Sequence, residues 1–488
     1  MTAGVPAELA ARLAALTPEQ LDRLRGRLHE QAPRAQVRLT PGQERLWHAH
    51  HAAAGQPVDV VCQAVRLTGT PVDLDLLAGR VQGFVRTHEA LRTTFHADED
   101  SGEEGRGGEG RGAEDSGAVR PKVHEDLPPR LVRTRCPAGP EQAHALAREL
   151  AHEPFDLAEG PLLRVALAGG ASDEEAWVLV VVHNLVFDAW SFELLLDELA
   201  RDPAMPAPTT RPFGRFALEQ AESTAGPQGR AAARFWADEL AGAPPPLTTD
   251  HPRGQAAPGA GGRVDFTLPG AVARGIAAAA RGSAATAYAG WAAVAWATLA
   301  GFSGRPDVLL GTFTANRDRP DAQQTVGYLL NVLPLRLRDP GDGTWAARIR
   351  AAHTASKRSL RHAAYPAELI TTERRLPGLH PLFDVAFVYD SPAEDSRRVQ
   401  GADVSTSDVD KGVARYGLTI AVHPAPEGAS GWIEYDTGLY DRGTVDHLAD
   451  RFTALAAQAS GAAGPTAEHT SGHTAEHVAG LASREGGQ

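Results

Sequence analysis

At 488 residues the chain is too long for one ordinary core, so two domains or two halves are the first expectation. Apolar content of 42% and charged content of 22% are those of a soluble globular protein. A formal net charge of −13 argues against a nucleic-acid partner and against an anionic membrane surface.

In chain order, residues 5–31 (VPAELAARLAALTPEQLDRLRGRLHEQ) read as short amphipathic helices broken at Thr17-Pro18, where Thr can cap and Pro can open a helix. The start MTAGVPAELAARL lacks a basic stretch followed by an apolar one, so no signal peptide is visible. Residues 1–35 are therefore expected to be a helical extension. The first half is expected over 36–205, opening with a strand at 58–68. A helix follows, with Leu74, Leu77, Val81, Phe84, Val85 and His88 at helical spacing. Residues 98–117 should form a solvated acidic loop without fixed structure, since 98–115 carry eight acids against two arginines. A helix near 141–152 and strands at 162–168 and 177–183 come next. The second of these strands is apolar throughout, as befits one covered on both faces.

After it, Ser191 is placed to cap a helix with Glu193 in its first turn. A Pro-rich connection over 206–262, with one helical piece at 230–240, leads to a second α/β half over 263–458. There the uncharged stretch 284–301 (AATAYAGWAAVAWATLAG) is dominated by alanine, which gains little from leaving water, so it reads as a buried helix and not a membrane span. Strands are expected at 306–313, 331–337, 383–389, 415–423 and 431–436, with helices at 344–362 and 442–458. The tail, 459–488, reads as unstructured, and its His469, His473 and His477 are not taken as a metal site. Cys62 and Cys136 are too few for a disulfide framework or a zinc site, which fits a reducing cytoplasm.

Six segments in order resemble the condensation domains of nonribosomal peptide synthetases. LTPGQERLW (39–47) is similar to the family's first motif and RTHEALRTTF (86–95) to its second, departing at Thr87. HNLVFDAWS (183–191) resembles the third, catalytic motif, usually two histidines, three variable residues and Asp-Gly. TFTANRDRPDAQQTVGYLLNVLPLR (312–336) resembles the fifth and HPLFDVAFVY (380–389) the seventh; 415–441 is similar to the sheet-completing region. The resemblance implies two chloramphenicol-acetyltransferase-like α/β halves, a V-shaped pseudo-dimer whose central tunnel admits phosphopantetheine arms from opposite faces. It implies a peptidyl or aminoacyl carrier protein as partner, an amine acceptor that is free or carrier-bound, and no bound cofactor or metal. With no adenylation or carrier segment visible, the chain is expected to stand alone and meet its carrier in trans.

The family's second motif histidine is Asn184 here, and Ala189 replaces its glycine. An amide side chain can hold an amine or an oxyanion but has no useful basicity. Ala189 would strain or narrow the site if that glycine has a positive φ or lets substrate pass closely. Through the resemblance, Asp188 is expected to pair with Arg317, and His183 to be a buried hydrogen-bonded element. Trp190 is expected as a packing anchor, and Asn316 and Asn331 as scaffold. Tyr328 and Tyr389 are candidates for the tunnel lining, although either could be core. Glu434 and Asp436 are expected to be solvated or to cap a turn. No phosphate loop, H-E-x-x-H or G-x-S-x-G is present, so ATP use, a zincin and a serine hydrolase lack support. Amide formation from a carrier-bound thioester is the leading expectation. A chemically inactive recruitment platform and a different carrier-bound reaction such as cyclisation are the alternatives.

Overall fold

A computed structural model describes residues 38–53, 55–97, 119–135, 139–170, 172–202, 205, 208–253, 260–370, 382–390, 397–425 and 427–461. The expected N-terminal helices, the acidic loop, Cys136, His380 and nearly all of the tail lie outside these residues.

The first half is built on a six-stranded sheet in the order β11-β12-β1-β6-β5-β4. β1 (Val60–Thr68), β4 (Arg130–Arg135), β5 (Leu163–Gly169) and β6 (Glu175–His183) come from the first half of the sequence. Central β6 pairs antiparallel with β1 and β5, and its residues 176–183 are all buried. That is why its sequence is a continuous apolar run and not an alternation. Helices α2 (Leu74–Thr87), α3 (Gly139–His152) and α4 (Ala189–Ala200) cover this sheet. A separate hairpin joins β2 (Thr93–Ala97) to β3 (Val119–Val123).

The second sheet runs β7-β14-β13-β10-β8-β9. Its strands are β7 (Gly261–Pro269), β8 (Val308–Thr314), β9 (Asn331–Leu337), β10 (Val385–Tyr389), β13 (Leu418–Ala425) and β14 (Gly428–Asp436). On one face lie α7 (Gly270–Gly282), α8 (Ala287–Ser303), α9 (Trp345–Leu360) and α10 (Arg442–Ser460). α8 is the uncharged alanine stretch. It is capped by Thr286, ends on left-handed Gly304, and buries Trp291 and Trp296 among the other helices. Its small side chains let α7, α9 and α10 approach on several sides. Among the described residues no helix is long and apolar enough to cross a membrane.

Two features depart from the sequence expectation. The connection holds two helices, α5 (Phe213–Ala225) and α6 (Pro227–Leu240), where one was expected. More consequential are β11 (Arg398–Val399) and β12 (Ala402–Asp408), which follow β10 in sequence but join the first sheet. β12 lies antiparallel to β1, from Gln63 opposite Asp408 to Thr68 opposite Asp403. Its sequence, ADVSTSD, is polar and mostly exposed, so no hydrophobic period announces it. The two halves are thus stitched by strand exchange as well as by the connection.

Candidate active site at the end of strand β6

The site grows from the termination of β6. The His183 N–H donates to the Leu162 carbonyl (3.0 Å), and the Asn184 N–H donates across to the Asp59 carbonyl (2.9 Å). The chain then makes one 3-10 turn, Asn184–Val186, and an extended Phe187 before Asp188 starts α4. That turn is held from α1 (Pro41–Ala52), where the Gln43 amide donates to the Leu185 carbonyl (2.8 Å). Gln43 also closes a capping box with Thr40, accepting from the Thr40 N–H while the Thr40 hydroxyl accepts from the Gln43 N–H. The T-P-G-Q spacing of the first motif thus braces the third.

His183 is buried, and both its ring nitrogens are occupied. Nδ1 accepts from the Leu185 N–H (3.1 Å), which leaves Nε2 to carry the proton and donate to His50 Nδ1 (3.1 Å). Burial pushes the His183 pKa down to about 3, partly offset by Asp59. It lowers His50 as well, with His51 adding to the effect. A neutral ring with both nitrogens engaged does not serve as a base. The half-buried Asn184 makes no side-chain hydrogen bond among the described residues, so its amide remains available.

Asp188 is the opposite case. Its Oδ1 accepts from the Ser191 N–H (2.9 Å), the Ser191 hydroxyl (2.8 Å) and Arg317 Nη2 (2.9 Å). Its Oδ2 accepts from Arg317 Nη1 (2.8 Å) and the N–H groups of Leu329 (3.1 Å) and Leu330 (3.2 Å). Arg317, also buried, spends further N–H groups on the Ala315 and Thr325 carbonyls. This is the pair implied by the resemblance, and it joins the two halves.

Several expectations need correction here. Asp188, not Ser191, is the N-cap of α4, because its carboxylate reaches the third N–H of the helix. Ser191 instead bridges Asp188 to the backbone of Gly327, whose φ of +149 suits glycine and whose added Cβ would strike Phe213. The helix also starts three residues earlier than expected, which takes Glu193 out of its first turn. Trp190 is no buried anchor: it is 38% exposed, with its indole N–H on the Gln323 carbonyl (2.9 Å). Ala189 is exposed at the first helical position and takes no positive φ; among the described residues only Ala284, Asn316 and Gln400 do so without being glycine. Its Cβ therefore costs no backbone strain.

Asn316 uses a φ of +54 to turn the chain after β8, a conformation Asn tolerates. Asn331 donates to the Ala363 and Tyr365 carbonyls and accepts from the Val332 and Ala367 N–H groups. Tyr328 is core, its hydroxyl accepting from Arg45 (3.3 Å). Asp436 caps a turn by accepting from the Gly438 N–H (2.8 Å). Glu434 is half-buried and not solvated: burial pushes its carboxyl up to about 7, with Lys411 opposing.

Sequence reasoning missed a second polar node beside Asn184. Asp59, just before β1, pairs with Arg415, just before β13. Nearby, Arg45 on α1 pairs with Glu368 (3.2 Å) and donates to Tyr328. Burial works against the Asp59 carboxylate, yet Arg415 and Arg45 together hold it below the usual range. The 415–441 resemblance reached Arg415, but nothing in the sequence linked it to an aspartate 356 positions away. A cleft of about 910 Å³ lies elsewhere, among Arg38, Leu39, Val119, Pro121, Ala217 and Leu369. Among the described residues no cluster of three or more metal-ligating side chains exists.

Residues 115–471 match the condensation-domain family profile. The chain belongs to the condensation-domain family. Among curated proteins it is 30% identical to the phosphinothricin tripeptide synthetase PhsC of Streptomyces viridochromogenes, over 92% of this chain and 42% of PhsC. The chain thus spans less than half the length of that relative, and 5% of a malpinin synthetase from Mortierella alpina at 27% identity. The condensation domain of the monacolin K polyketide synthase MokA has the same fold: TM-score 0.74 at 19% identity, covering 87% of this chain and 97% of that one. The X-domain of teicoplanin biosynthesis, seen in complex with OxyB, shares it at a TM-score of 0.70 and 22% identity, covering 87% and 93%. Condensation domains form amide bonds in nonribosomal peptide assembly and work with carrier proteins.

Proposed function

We propose that this condensation domain joins a carrier-bound acyl or aminoacyl thioester to an amine, with Asn184 positioning the reactants in place of a general base. The carrier's phosphopantetheine arm brings the thioester as substrate, and no cofactor resides on the chain. The amine nitrogen attacks the thioester carbonyl, the C–S bond breaks, and the amine's surplus proton passes to the departing thiolate or to water.

The observation that carries this reading is the contrast at the end of β6. The Asn184 amide is available while the scaffold holding it, Asp188 with Arg317 and Gln43 with Leu185, is complete. Orientation alone retains a large share of acyl-transfer catalysis, whereas a missing base costs roughly two to four powers of ten. With neither His183 nitrogen able to accept a proton, the acceptor must arrive as the free amine. The pH profile of kcat/KM should then rise with unit slope and level off at the pKa of whichever amine is offered. Purified protein is given a separately loaded carrier and two amines of different pKa, which tests the chemistry wherever the natural carrier resides. A profile levelling at one pH for both amines would point to an enzymic base and remove this reading.

The occupied His183 ring also favours a second reading, a platform that binds a carrier or a tailoring enzyme without turnover. No amide from wild type across a panel of loaded carriers, alongside saturable carrier binding, is the outcome that selects it.

A further inference from the structure

We propose that Arg415 is the charged donor of this site, binding the thioester carbonyl oxygen beside Asn184 and stabilising the oxyanion that forms there. The inference rests on the amide-forming reading and deepens it by naming the group that receives the developing charge.

Placement comes first. The Asn184 N–H is bonded to the Asp59 carbonyl, and the carboxylate of that same residue holds Arg415. One residue therefore fixes both the Asn184 backbone and the Arg415 guanidinium. Arg415 enters from the second half, on the segment leading into β13, so the two residues bonded to Asp59 come from opposite halves.

Hydrogen-bond accounting comes second. Three other buried guanidiniums are spent on structure. Arg164 bonds three carbonyls, Arg317 bonds Asp188, Ser191 and two carbonyls, and Arg336 bonds Asp307 and three carbonyls. Arg415 makes one side-chain hydrogen bond among the described residues, to Asp59, and its side chain keeps 16% exposure. A guanidinium offers five N–H donors, so most of these remain for a ligand oxygen. Asp59 holds the group in place without consuming it.

Chemistry comes third. Attack on a thioester moves an electron pair onto the carbonyl oxygen, and collapse of the adduct returns it as the thiolate leaves. N–H donors fixed in a water-poor place stabilise that oxygen more than the ground-state carbonyl. Asn184 adds neutral N–H donors; Arg415 adds a charge that stays protonated throughout, Asp59 holding its pKa above the ordinary value against the cost of burial. The same charge favours the free amine over the ammonium ion, which suits a site lacking a base.

The probes are two stable carba-analogues of acetylpantetheine, a neutral methyl ketone and a methylphosphinate whose anionic tetrahedral phosphorus stands for the adduct. Calorimetry on wild type should give clearly tighter binding of the phosphinate. Arg415→Gln should lose most of that preference, on the order of tenfold or more, with ketone affinity moved less than about threefold. Arg415→Lys, which keeps the charge and the Asp59 pairing, should restore part of it. The proposal is overturned if wild type does not prefer the phosphinate, or if Arg415→Gln binds it as wild type does. It is likewise overturned if ketone and phosphinate affinities fall together, which marks a purely structural role. Turnover separates the two levels. An Arg415-dependent phosphinate preference without amide product from any loaded carrier sinks the amide-forming reading alone. Amide product with an unchanged kcat in Arg415→Gln sinks this inference alone.

Discussion

Among the carboxylate–guanidinium pairs that join the halves of this chain near the end of β6, Asp188–Arg317 and Asp59–Arg415 are built differently. Asp188 accepts six hydrogen bonds and Arg317 is spent in every direction but Nε, the arrangement of a scaffold with nothing left to offer. At Asp59 and Arg415 one side-chain bond joins the pair, and the guanidinium keeps donors and some exposure. The contrast separates holding from acting. A satisfied buried ion pair resists change because either partner alone is an uncompensated buried charge. A partly satisfied one gives up some of that stability and retains the capacity to bind.

Asp188→Asn should show the largest effect. It weakens the cap of α4 and strips Arg317 of its counter-charge, so the first unfolding transition in urea should lose about 3–5 kcal/mol. A loss below about 1 kcal/mol would mean that this pair is not the anchor. Asp59→Asn should cost less, about 1–3 kcal/mol, because Arg415 keeps contact with water. Equal losses would erase the distinction between the two nodes.

Acid separates them further. His183 has a folded pKa of about 3 and His88 one of about 4, both lowered by burial. Unfolded histidine titrates near 6.5, so the unfolded state binds more protons between these values. Stability is therefore full above about pH 6.5 and declines as pH falls toward the folded values. The Asp59 carboxylate, held below its usual value, contributes stability that is present above about pH 4 and lost below it. A thermal midpoint measured against pH should lose part of its upper limb in His183→Asn and part of its lower limb in Asp59→Asn.

The smallest effects belong to the two departures from the family motif. Asn184→Ala should leave stability within about 0.5 kcal/mol, since the side chain makes no hydrogen bond among the described residues. Ala189→Gly should cost no more than about 1 kcal/mol at its exposed helical position. A stabilising Ala189→Gly would instead revive the idea of strain there.

Much of the scaffold was legible. The apolar run of β6 and the alanine-rich α8 are local patterns whose physics lies within a few residues. Order and content of the motifs carried the family and the pairing of Asp188 with Arg317. Less was legible where composition gave no period. β12 is polar, yet it completes the first sheet because the edge of β1 offers unpaired backbone groups, which any sequence can satisfy. Even the cap of α4 went to the wrong residue, since both Asp188 and Ser191 are good caps and only the backbone path decides between them.

What the sequence by itself determined is the chemical inventory at the motif: an amide where a base is usual, and a histidine, aspartate and arginine kept around it. Tertiary structure alone decided which of these groups are already spent. It occupied both nitrogens of His183, saturated Asp188, and brought Asp59 and Arg415 together from 356 positions apart with donors to spare. Residue type fixes how many hydrogen bonds a group can make. Only packing in three dimensions fixes how many are left.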